Sequence, residues 1–245
     1  MSYRYATERP NFADLASGQV FHSLPGHPAF PVRLASEVFQ RCLALRGKGS
    51  GAVSLYDPCC GAAYHLSILA YLHWDSIRQV TASDVDARAV QLAEHNLSLL
   101  TPQGLERRIR ELGAMQRLYG RDSHRQALES AARLQERVVA FHKLRPIQLR
   151  AFQADALDAR ALAAQLGETR PEVVFTDLPY GQHSHWQGET DDPAAALLAG
   201  LLPLLGAESI VAISSVKGLK LDPPGYRRVE KLKLGKREIQ FFQPG

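Results

Sequence analysis

The amino-acid sequence predicts an α/β fold whose mostly parallel, seven-stranded sheet ends in an antiparallel hairpin. Short apolar segments typical of buried strands alternate with segments of helical periodicity along the 245 residues. A turn of small residues follows the first strand signal, as in doubly wound sheets. The last two strand signals are separated only by Gly235-Lys236, a spacing typical of a hairpin.

The first 31 residues differ in composition from the rest of the chain. They contain two glycines and four prolines, namely Pro10, Pro25, Pro28 and Pro31. Proline and glycine favour turns and extended backbone. We therefore predict an N-terminal arm over residues 1–31 and one α/β domain over residues 32–245.

Within the domain, the periodicity changes repeatedly between strand and helix. We predict strands over residues 52–57, 79–83, 147–154, 172–176, 209–214, 226–234 and 237–242. We predict helices over residues 32–45, 64–72, 87–100, 157–166 and 193–205. Strands connected through helices pair in parallel, and only the last two form a hairpin.

Residues 102–146 interrupt this alternation, because a few residues would suffice between a helix and a strand. Two apolar stripes at helical spacing run through them. They consist of Leu105, Ile109, Leu112 and Leu118, then of Leu128, Ala131, Leu134, Val138 and Phe141. We predict a basic helical insertion over about 102–146, with its arginines facing outward.

The composition excludes several classes of protein. Three cysteines without Cys-x-x-Cys spacing fit neither a disulfide framework nor a metal site. Residues 3–10 lack the apolar core of a signal peptide. The longest apolar tract, residues 194–207, is too short to span a bilayer and contains Pro203. We expect a cytoplasmic protein without a metal or a membrane role, and a monomer is favoured.

The net charge of +4 conceals an uneven distribution. Residues 101–150 hold eleven basic and five acidic residues, and residues 217–237 hold eight basic and two acidic residues, so the rest of the chain is net acidic. Two basic segments suit a polyanionic partner. The alternative, a solvated helical face and a lysine-rich edge hairpin, stays open from charge alone. The candidate RNA-binding residues are Arg107, Arg108, Arg110, Arg117, Arg121, Arg125, Lys217, Lys220, Lys231 and Lys233.

A turn over residues 57–64 follows the first predicted strand, where an open α/β sheet binds its ligand. The chain must pass close to the ligand there, so small residues such as Gly61 are required. A dinucleotide fingerprint needs three spaced glycines, and this turn has one. The turn therefore predicts a nucleotide-like ligand other than NAD or FAD.

Acidic residues end the next two predicted strands. Asp84 is placed to accept hydrogen bonds from both hydroxyls of a ribose. Its alternative role is to cap the following helix, for which Asp86 is the better candidate. Asp155 is placed to accept a hydrogen bond from an adenine amino group, and a helix cap is its alternative role. The candidate cofactor-binding residues are Asp57, Pro58, Cys60, Gly61, Asp84, Asp155 and Ala156.

The segment with the most specific chemistry is 177–181, directly after the fourth strand. A planar base amine becomes a nucleophile when acceptors hold its hydrogens and free its lone pair. The Asp177 carboxylate and the Leu178 carbonyl supply two such acceptors. Pro179 fixes the backbone, and Tyr180 offers a flat face on which an extruded base stacks. These four residues are the candidate catalytic residues, and an ordinary strand-ending turn is the alternative.

These two turns resemble known signatures. Residues 57–61 and 177–181 are similar to the "Asp-Pro-x-Cys-Gly" and "Asn/Asp-Pro-Pro-Tyr" motifs of class I amino-methyltransferases, especially those acting on guanine N2 in ribosomal RNA. The whole chain, including its arm and insertion, resembles the family of avilamycin-resistance rRNA methyltransferases. Leu178 departs from the first motif proline, and Ala62-Ala63 departs from the usual Ser-Gly. A leucine at 178 still offers a backbone carbonyl as acceptor, and the two alanines are still small residues.

The resemblance implies a Rossmann-like class I methyltransferase fold and S-adenosylmethionine as the methyl donor. It implies 23S ribosomal RNA or the large ribosomal subunit as partner, a guanosine base nitrogen as target, and resistance through altered drug contacts on the ribosome. It also implies that Asp57, Gly61, Asp84 and Asp155 lie at the cofactor and that 177–180 lie at the target base.

Other interpretations remain at this point. Similar motifs serve enzymes that methylate adenine N6 in DNA or a protein amide, and an RNA-binding module on a degenerate nucleotide fold needs no catalytic residue. Cytosine C5 methylation is disfavoured, because its Pro-Cys pair belongs where this chain has Pro179-Tyr180. We assign His183 no catalytic role and Trp186 at most a stacking role, and the role of His185 stays open.

Overall fold

The computed structural model describes residues 3–24, 29–47, 51–178 and 192–245. The helices are α1 Val32–Leu45, α2 Tyr64–Leu72, α3 Ala87–Ser98, α4 Pro102–Tyr119, α5 Asp122–Leu144, α6 Ala159–Leu166 and α7 Pro193–Leu201. The strands are β1 Val53–Asp57, β2 Ile77–Asp84, β3 Gln148–Gln153, β4 Val173–Asp177, β5 Ile210–Val216, β6 Tyr226–Leu234 and β7 Arg237–Pro244.

The seven strands form one sheet in the order β3-β2-β1-β4-β5-β7-β6. Strands β1 to β5 pair in parallel, and β7 runs antiparallel to both β5 and β6. The predicted fold class is therefore confirmed. Because β1 lies between β2 and β4, the chain reverses its winding direction beside β1, and ligands of open α/β sheets bind at that crevice.

Helices cover both faces of the sheet. Alternate residues of each strand point to opposite faces, so Phe175 of β4 lies in one apolar cluster and Val174 in the other. The first cluster is formed with helices α1 to α5, and the second with α6 and α7. Burial on both faces explains why β1 and β4, at the centre of the sheet, are buried at nearly every position.

The insertion consists of α4 and α5. Thr101 caps α4 by accepting a hydrogen bond from the Gly104 amide at 3.0 Å, and Gly120 ends the helix with φ of +60°. A Cβ on Gly104 would lie 1.9 Å from the Ser98 carbonyl oxygen. The glycine therefore permits the close turn from α3 into the insertion.

Several predicted bounds differ from the structure by one or two residues: the helix predicted over 157–166 begins at Ala159, and the strand predicted over 79–83 covers Ile77–Asp84. The predicted apolar stripe includes Leu118, but this residue lies in the last turn of α4 and is 73% exposed. The helix predicted over 193–205 ends at Leu201 and continues as a short 3-10 helix, since Pro203 lacks the amide that an α-helix needs. The helix predicted over 87–100 ends at Ser98, just before the cap of α4.

The described part of the arm is held against the domain at several points. The buried Glu37 carboxylate of α1 accepts hydrogen bonds from three successive amides, those of Arg4, Tyr5 and Ala6, each at 2.8 Å. Farther along, Leu15 and Phe21 enter the first apolar cluster. The described part of the arm thus contains bends and a short 3-10 helix at Ala13–Leu15, and it packs against the domain.

Candidate active site

Four strand ends bring the predicted acidic residues to one edge of the sheet. Asp57 ends β1 and pairs in register with Ala82, two residues before the end of β2 at Asp84. Asp84 pairs with Gln153, two residues before Asp155. Asp177 ends β4 and pairs with Ser214 of β5. Adjacent strands lie about 4.8 Å apart, so the four carboxylates line the carboxyl edge in the spatial order 155, 84, 57, 177.

The turn after β1 is shaped by left-handed residues and by Asp84. Gly61 has φ of +52°, and Ala63, the residue before α2, has φ of +50°, an unusual conformation for a residue with a Cβ. The Gly61 amide donates to Asp84 Oδ2 at 2.8 Å. A Cβ built on Gly61 would meet nothing within 4 Å. The outer side of the turn is therefore open space beside the acidic edge.

Asp84 is oriented by two backbone amides. Oδ2 accepts from Gly61, and Oδ1 accepts from Asp86 at 3.0 Å. Burial raises the pKa of Asp84, the charge of Asp57 adds to this effect, and the two amide hydrogen bonds oppose it. Each carboxylate oxygen has two lone pairs, so one on each remains for hydroxyl donors. Asp86 caps α3 by accepting from the Arg88 amide, which confirms that Asp86 rather than Asp84 is the cap.

Asp57 lies completely buried against a histidine that sequence reasoning missed. Oδ1 accepts from the Cys59 amide at 2.9 Å, and Oδ2 lies 3.2 Å from His65 Nε2. That nitrogen also lies 3.3 Å from the Phe175 carbonyl oxygen. Burial alone would lower the pKa of His65, but the contact with Asp57 outweighs it and raises that pKa. The contact between Asp57 and His65 thus links the start of the turn to helix α2.

Asp155 and Ala156 follow β3 at the same edge. Asp155 Oδ1 accepts from the Leu157 amide at 2.9 Å, and Ala156 is buried. Helix α6 is capped instead by Asp158, whose Oδ1 accepts from the amides of Arg160 and Ala161. The alternative role of Asp155 as a helix cap is therefore wrong, although its carboxylate does close a local turn.

Asp177 is bonded to two side chains of neighbouring strands. Its Oδ1 accepts from Ser214 Oγ at 2.7 Å, and Arg237 Nη1 lies 2.7 Å from both carboxylate oxygens. The Leu178 amide donates to the Ser214 carbonyl oxygen, and its side chain is buried. The described residues do not include the other residues that the sequence singled out near this turn, namely Pro179, Tyr180, His183, His185 and Trp186.

The arm forms one wall of a cavity of about 110 Å³ at this edge. The cavity is also lined by the turn after β1, by His65 and by Asp177. The Phe30 ring lies 5.3 Å from the Phe175 ring, 5.9 Å from that of His65, and 4.8 Å from the Arg237 guanidinium carbon. Phe30 and Arg237 are site residues that the sequence did not reveal, because neither belongs to a motif.

Asn96 connects the arm to the turn. Its amide nitrogen donates to the carbonyl oxygens of His22 and Ala62, and its oxygen accepts from the His22 amide at 2.7 Å. Asn96 is completely buried in α3. The arm segment at His22 and the small-residue turn are therefore held in a fixed relation to each other.

A larger cavity of about 350 Å³ lies at the opposite edge of the sheet. It is lined by residues near the amino ends of β2, β4 and β5, including Arg78, Glu172 and Ser209. None of the predicted site residues lines it. Ligands of open α/β sheets bind at the carboxyl edge, so the smaller cavity is the better candidate for the active site.

The ten candidate RNA-binding residues divide into two groups. Eight are exposed, namely Arg107, Arg110, Arg117, Arg121, Arg125, Lys217, Lys220 and Lys233. Arg108 does not face outward as predicted: its guanidinium donates to the carbonyl oxygens of Gln19 and Val20, and its side chain is 11% exposed. Lys231 is partly buried and pairs with Glu238 at 2.6 Å. These two side chains are therefore less accessible to RNA than the other eight.

Two further observations concern the site's chemistry. Burial and the neighbouring carboxylates raise the pKa of the Cys60 thiol, so it packs as a thiol rather than acting as a nucleophile. Within the described ranges, no His/Cys/Asp/Glu group has the arrangement of a metal site. None of the helices in those ranges combines the length and apolarity that crossing a bilayer requires.

Comparison with known proteins identifies the family. The family model described as "RRNA methyltransferase AviRa" matches residues 1–237. The "23S rRNA (guanine(2535)-N(1))-methyltransferase" of Streptomyces viridochromogenes is 46% identical over 237 residues, which cover 96% of this chain and 93% of the relative. Two crystal structures of rRNA methyltransferase aviRa from that organism superpose with TM-scores of 0.87 and 0.88 at 44% and 43% identity, each over at least 96% of both chains. The resemblance noted from the two turns is thus confirmed, and this chain belongs to the AviRa family of rRNA methyltransferases.

Proposed function

We propose that this enzyme transfers a methyl group from S-adenosylmethionine to N1 of a guanine in 23S ribosomal RNA. One observation carries the proposal: Asp155, Asp84, Asp57 and Asp177 follow adjacent strands at one edge. The first three suit a nucleoside, and the fourth lies across the crevice from them. The sequence left the base nitrogen open. The name of the S. viridochromogenes relative gives N1 of guanine as its target, and the proposal takes this ring nitrogen.

The residues at the turn fit S-adenosylmethionine. A Cβ on Gly61 would meet nothing within 4 Å, so the proposal places the donor beside this glycine, and the remaining lone pairs of Asp84 suit the two ribose hydroxyls. In this proposal Asp155 and the backbone at Ala156 meet the adenine, while Pro58 and Cys60 shape the turn. When bound, the donor supplies a methyl group on a sulfonium leaving group, so transfer depends mainly on in-line positioning.

Asp177 and the Leu178 carbonyl would hold the hydrogens of the target base. Asp177 Oδ1 already accepts from Ser214, and both oxygens contact Arg237. A carboxylate oxygen has two lone pairs, so Oδ2 keeps one for a base N–H. Pro179 and Tyr180 complete this side of the site in the proposal, with Tyr180 as the stacking surface.

The exposed arginines of the insertion and lysines of the hairpin would contact RNA phosphates. Such contacts position the enzyme, and the base pocket selects the target. In the same proposal residues 1–31 serve as an arm on the domain 32–245, with its insertion at about 102–146, and the enzyme acts as a cytoplasmic monomer. Methylation on the large ribosomal subunit would confer resistance to avilamycin-type antibiotics.

Incubation with tritiated S-adenosylmethionine and separate pools of ribosomal RNA, DNA and protein tests the proposal. Label is expected in 23S RNA only, and mass spectrometry of the digested RNA is expected to show 1-methylguanosine. Label in DNA or protein would support the alternative substrates. An absence of binding to S-adenosylmethionine by calorimetry would overturn the enzymatic proposal. Expression in a sensitive strain should raise the inhibitory concentration of avilamycin.

A further inference from the structure

The proposed base-binding carboxylate does not act alone, because an arginine is fixed against it. Arg237 Nη1 lies 2.7 Å from both Asp177 oxygens and 3.4 Å from Ser214 Oγ. The two side chains are only 18% and 23% exposed. An ion pair shielded to this degree is stronger than one at the open surface. The guanidinium is therefore a permanent part of the edge that would receive the base.

The backbone and a ring also fix the position of Arg237. It is the first residue of β7 and pairs with Val216 of β5 on one side and Leu234 of β6 on the other. Its guanidinium carbon lies 4.8 Å from the centre of the Phe30 ring, a cation–π contact. A charge held by two strands, a carboxylate and a ring is preorganised, as transition-state stabilisation requires.

Guanine N1 carries a hydrogen, so N1 becomes a nucleophile only when that hydrogen leaves. The negative charge that then develops is shared between N1 and the adjacent O6, which is an acceptor. A carboxylate suits the N1–H donor, and a guanidinium suits O6. A guanidinium has five N–H donors, so one arginine can bond a carboxylate and a substrate oxygen together.

We propose that Arg237 binds O6 of the target guanine and stabilises the charge that develops there as N1 loses its proton to Asp177. This inference rests on the proposed function and identifies a residue that would recognise the target guanine. The N1–H bond breaks, its proton passes to the Asp177 carboxylate and its electron pair forms the new N1–methyl bond. The bond from sulfur to the methyl group breaks with its electron pair kept on sulfur, and Asp177 later releases the proton to water.

The same pair accounts for discrimination against adenine. Adenine presents an amino donor where guanine presents O6, and its N1 has no hydrogen. A guanidinium facing that amino group would place two donors against each other, so neither would have an acceptor, which is unfavourable. Arg237 and Asp177 together thus complement the donor and acceptor order of guanine.

Other charged groups near the pair belong to four elements. His65 of α2 feels the charge of Asp177 and contacts Asp57 of β1. Glu238, next to Arg237 in β7, is buried and pairs with Lys231 and Lys233 of β6. These side chains are present in the wild type and in an Arg237 variant alike. Loss of the cation also changes the charge environment of Asp177 and His65, so a substrate with altered N1 acidity is needed to separate an effect at the base from an effect on these groups.

The test compares single-turnover methylation of a 23S RNA fragment by the wild type and by Arg237→Gln between pH 6.5 and 9.5. Near neutral pH the variant should be slower by about 10²- to 10³-fold, the effect of losing one oxyanion donor. The deficit should shrink as pH rises, because guanine N1 then ionises unaided. It should also shrink on RNA with 6-thioguanine at the target, whose N1 is more acidic. Arg237→Lys, which keeps the charge without the planar fork, should be intermediate.

Calorimetric affinity for S-adenosylmethionine should be unchanged in both variants, which shows that they fold. Arg170→Gln is the matched control, since Arg170 precedes the opposite end of β4 and bonds the Pro203 carbonyl; its profile should match the wild type. An unchanged rate for Arg237→Gln, or an equal deficit at every pH and with 6-thioguanine, would overturn the inference. Failure of the wild type to methylate guanine N1 would instead overturn the proposed function. If Arg237→Gln does not fold, Arg237→Lys alone decides.

Discussion

The Gly61 amide donates a hydrogen bond to Asp84 Oδ2 at 2.8 Å. This bond joins the turn after β1 to the end of β2, and the Asp86 amide holds the other carboxylate oxygen. The backbone therefore selects one orientation of the carboxylate before any ligand arrives. Preorganisation of this kind lowers the entropic cost of binding.

Asp84→Asn should weaken the binding of S-adenosylmethionine about 10- to 100-fold, because hydrogen bonds to a charged group contribute about 1.5–3 kcal/mol. Titration calorimetry measures the change. The matched control is Asp86→Ala, which removes the cap of α3 and should cost about 1 kcal/mol of unfolding free energy with unchanged affinity. Equal affinity of Asp84→Asn and the wild type would contradict the ribose assignment.

Asp177→Ala should keep its affinity for S-adenosylmethionine and lose methyl transfer by about 10²- to 10⁴-fold, the range for removal of a proton acceptor. Ser214→Ala, which removes one hydrogen bond to the same carboxylate, should lose less than about tenfold. Tritium transfer to RNA under single-turnover conditions gives both values. A wild-type rate for Asp177→Ala would remove this residue from the site.

Replacing Arg117 and Arg121 with Gln should weaken RNA binding and reduce its salt dependence. Each lost phosphate contact lowers the slope of log affinity against log salt by about 0.7–0.9. Arg108→Gln, on the same helix as Arg117, should leave that slope unchanged. It should lower the melting temperature, because Arg108 donates hydrogen bonds to the arm. Filter binding at several salt concentrations measures the slopes, and identical slopes for all variants would exclude the insertion from the RNA interface.

Gly104→Ala should destabilise the fold by about 1–3 kcal/mol, the usual cost of overpacking. The added Cβ would lie 1.9 Å from the Ser98 carbonyl oxygen. This oxygen belongs to the backbone, so it cannot avoid the contact by a side-chain rotation. Gly113→Ala, in the same helix and 3.4 Å from a flexible arginine atom, should be neutral or stabilising. Urea unfolding compares the two, and equal stability would contradict the close packing of α3 and α4.

Two partly buried histidines should make the fold less stable in mild acid. Burial lowers the pKa of His22 and of His73 to about 4, from an ordinary value of 6.5. Both stay neutral in the folded chain while the unfolded chain takes up protons below pH 6.5. Their contribution is therefore present above pH 6.5 and lost as pH falls towards about 4.

His22→Gln and His73→Gln should each flatten the dependence of unfolding free energy on pH between 6.5 and 4, and the double variant should flatten it further. Urea titrations at pH 7.5, 6.0 and 5.0 provide the measurement. Variant curves that run parallel to the wild-type curve over this interval would show that these histidines do not titrate differently on folding.

The order of elements and the positions of the acidic strand ends could be predicted from local signals. Periodicity identified α1 and α2 to the residue, and the register of parallel strands then brings Asp57, Asp84 and Asp177 to one edge. These features depend on spacing along the chain, which a sequence displays directly.

The contacts of Arg237, Phe30 and His65 could not be predicted in this way. Arg237 is one of eight basic residues between 217 and 237, and only the pairing of β7 with β5 brings it to Asp177. Arg108 likewise looked like its exposed neighbours, because its carbonyl partners lie 88 and 89 residues away in the chain. Long-range partners of this kind leave no local pattern.

Several residues of the insertion support the arm that walls the cavity: Arg108 bonds Gln19 and Val20, and Ser130 and Arg133 bond Asp14. Replacing this helical pair with another RNA-binding segment would also remove these supports of the arm. A replacement that carries residues 14–22 together with the new helices would keep the contacts between the two, and one that omits them would leave a wall of the cavity unsupported.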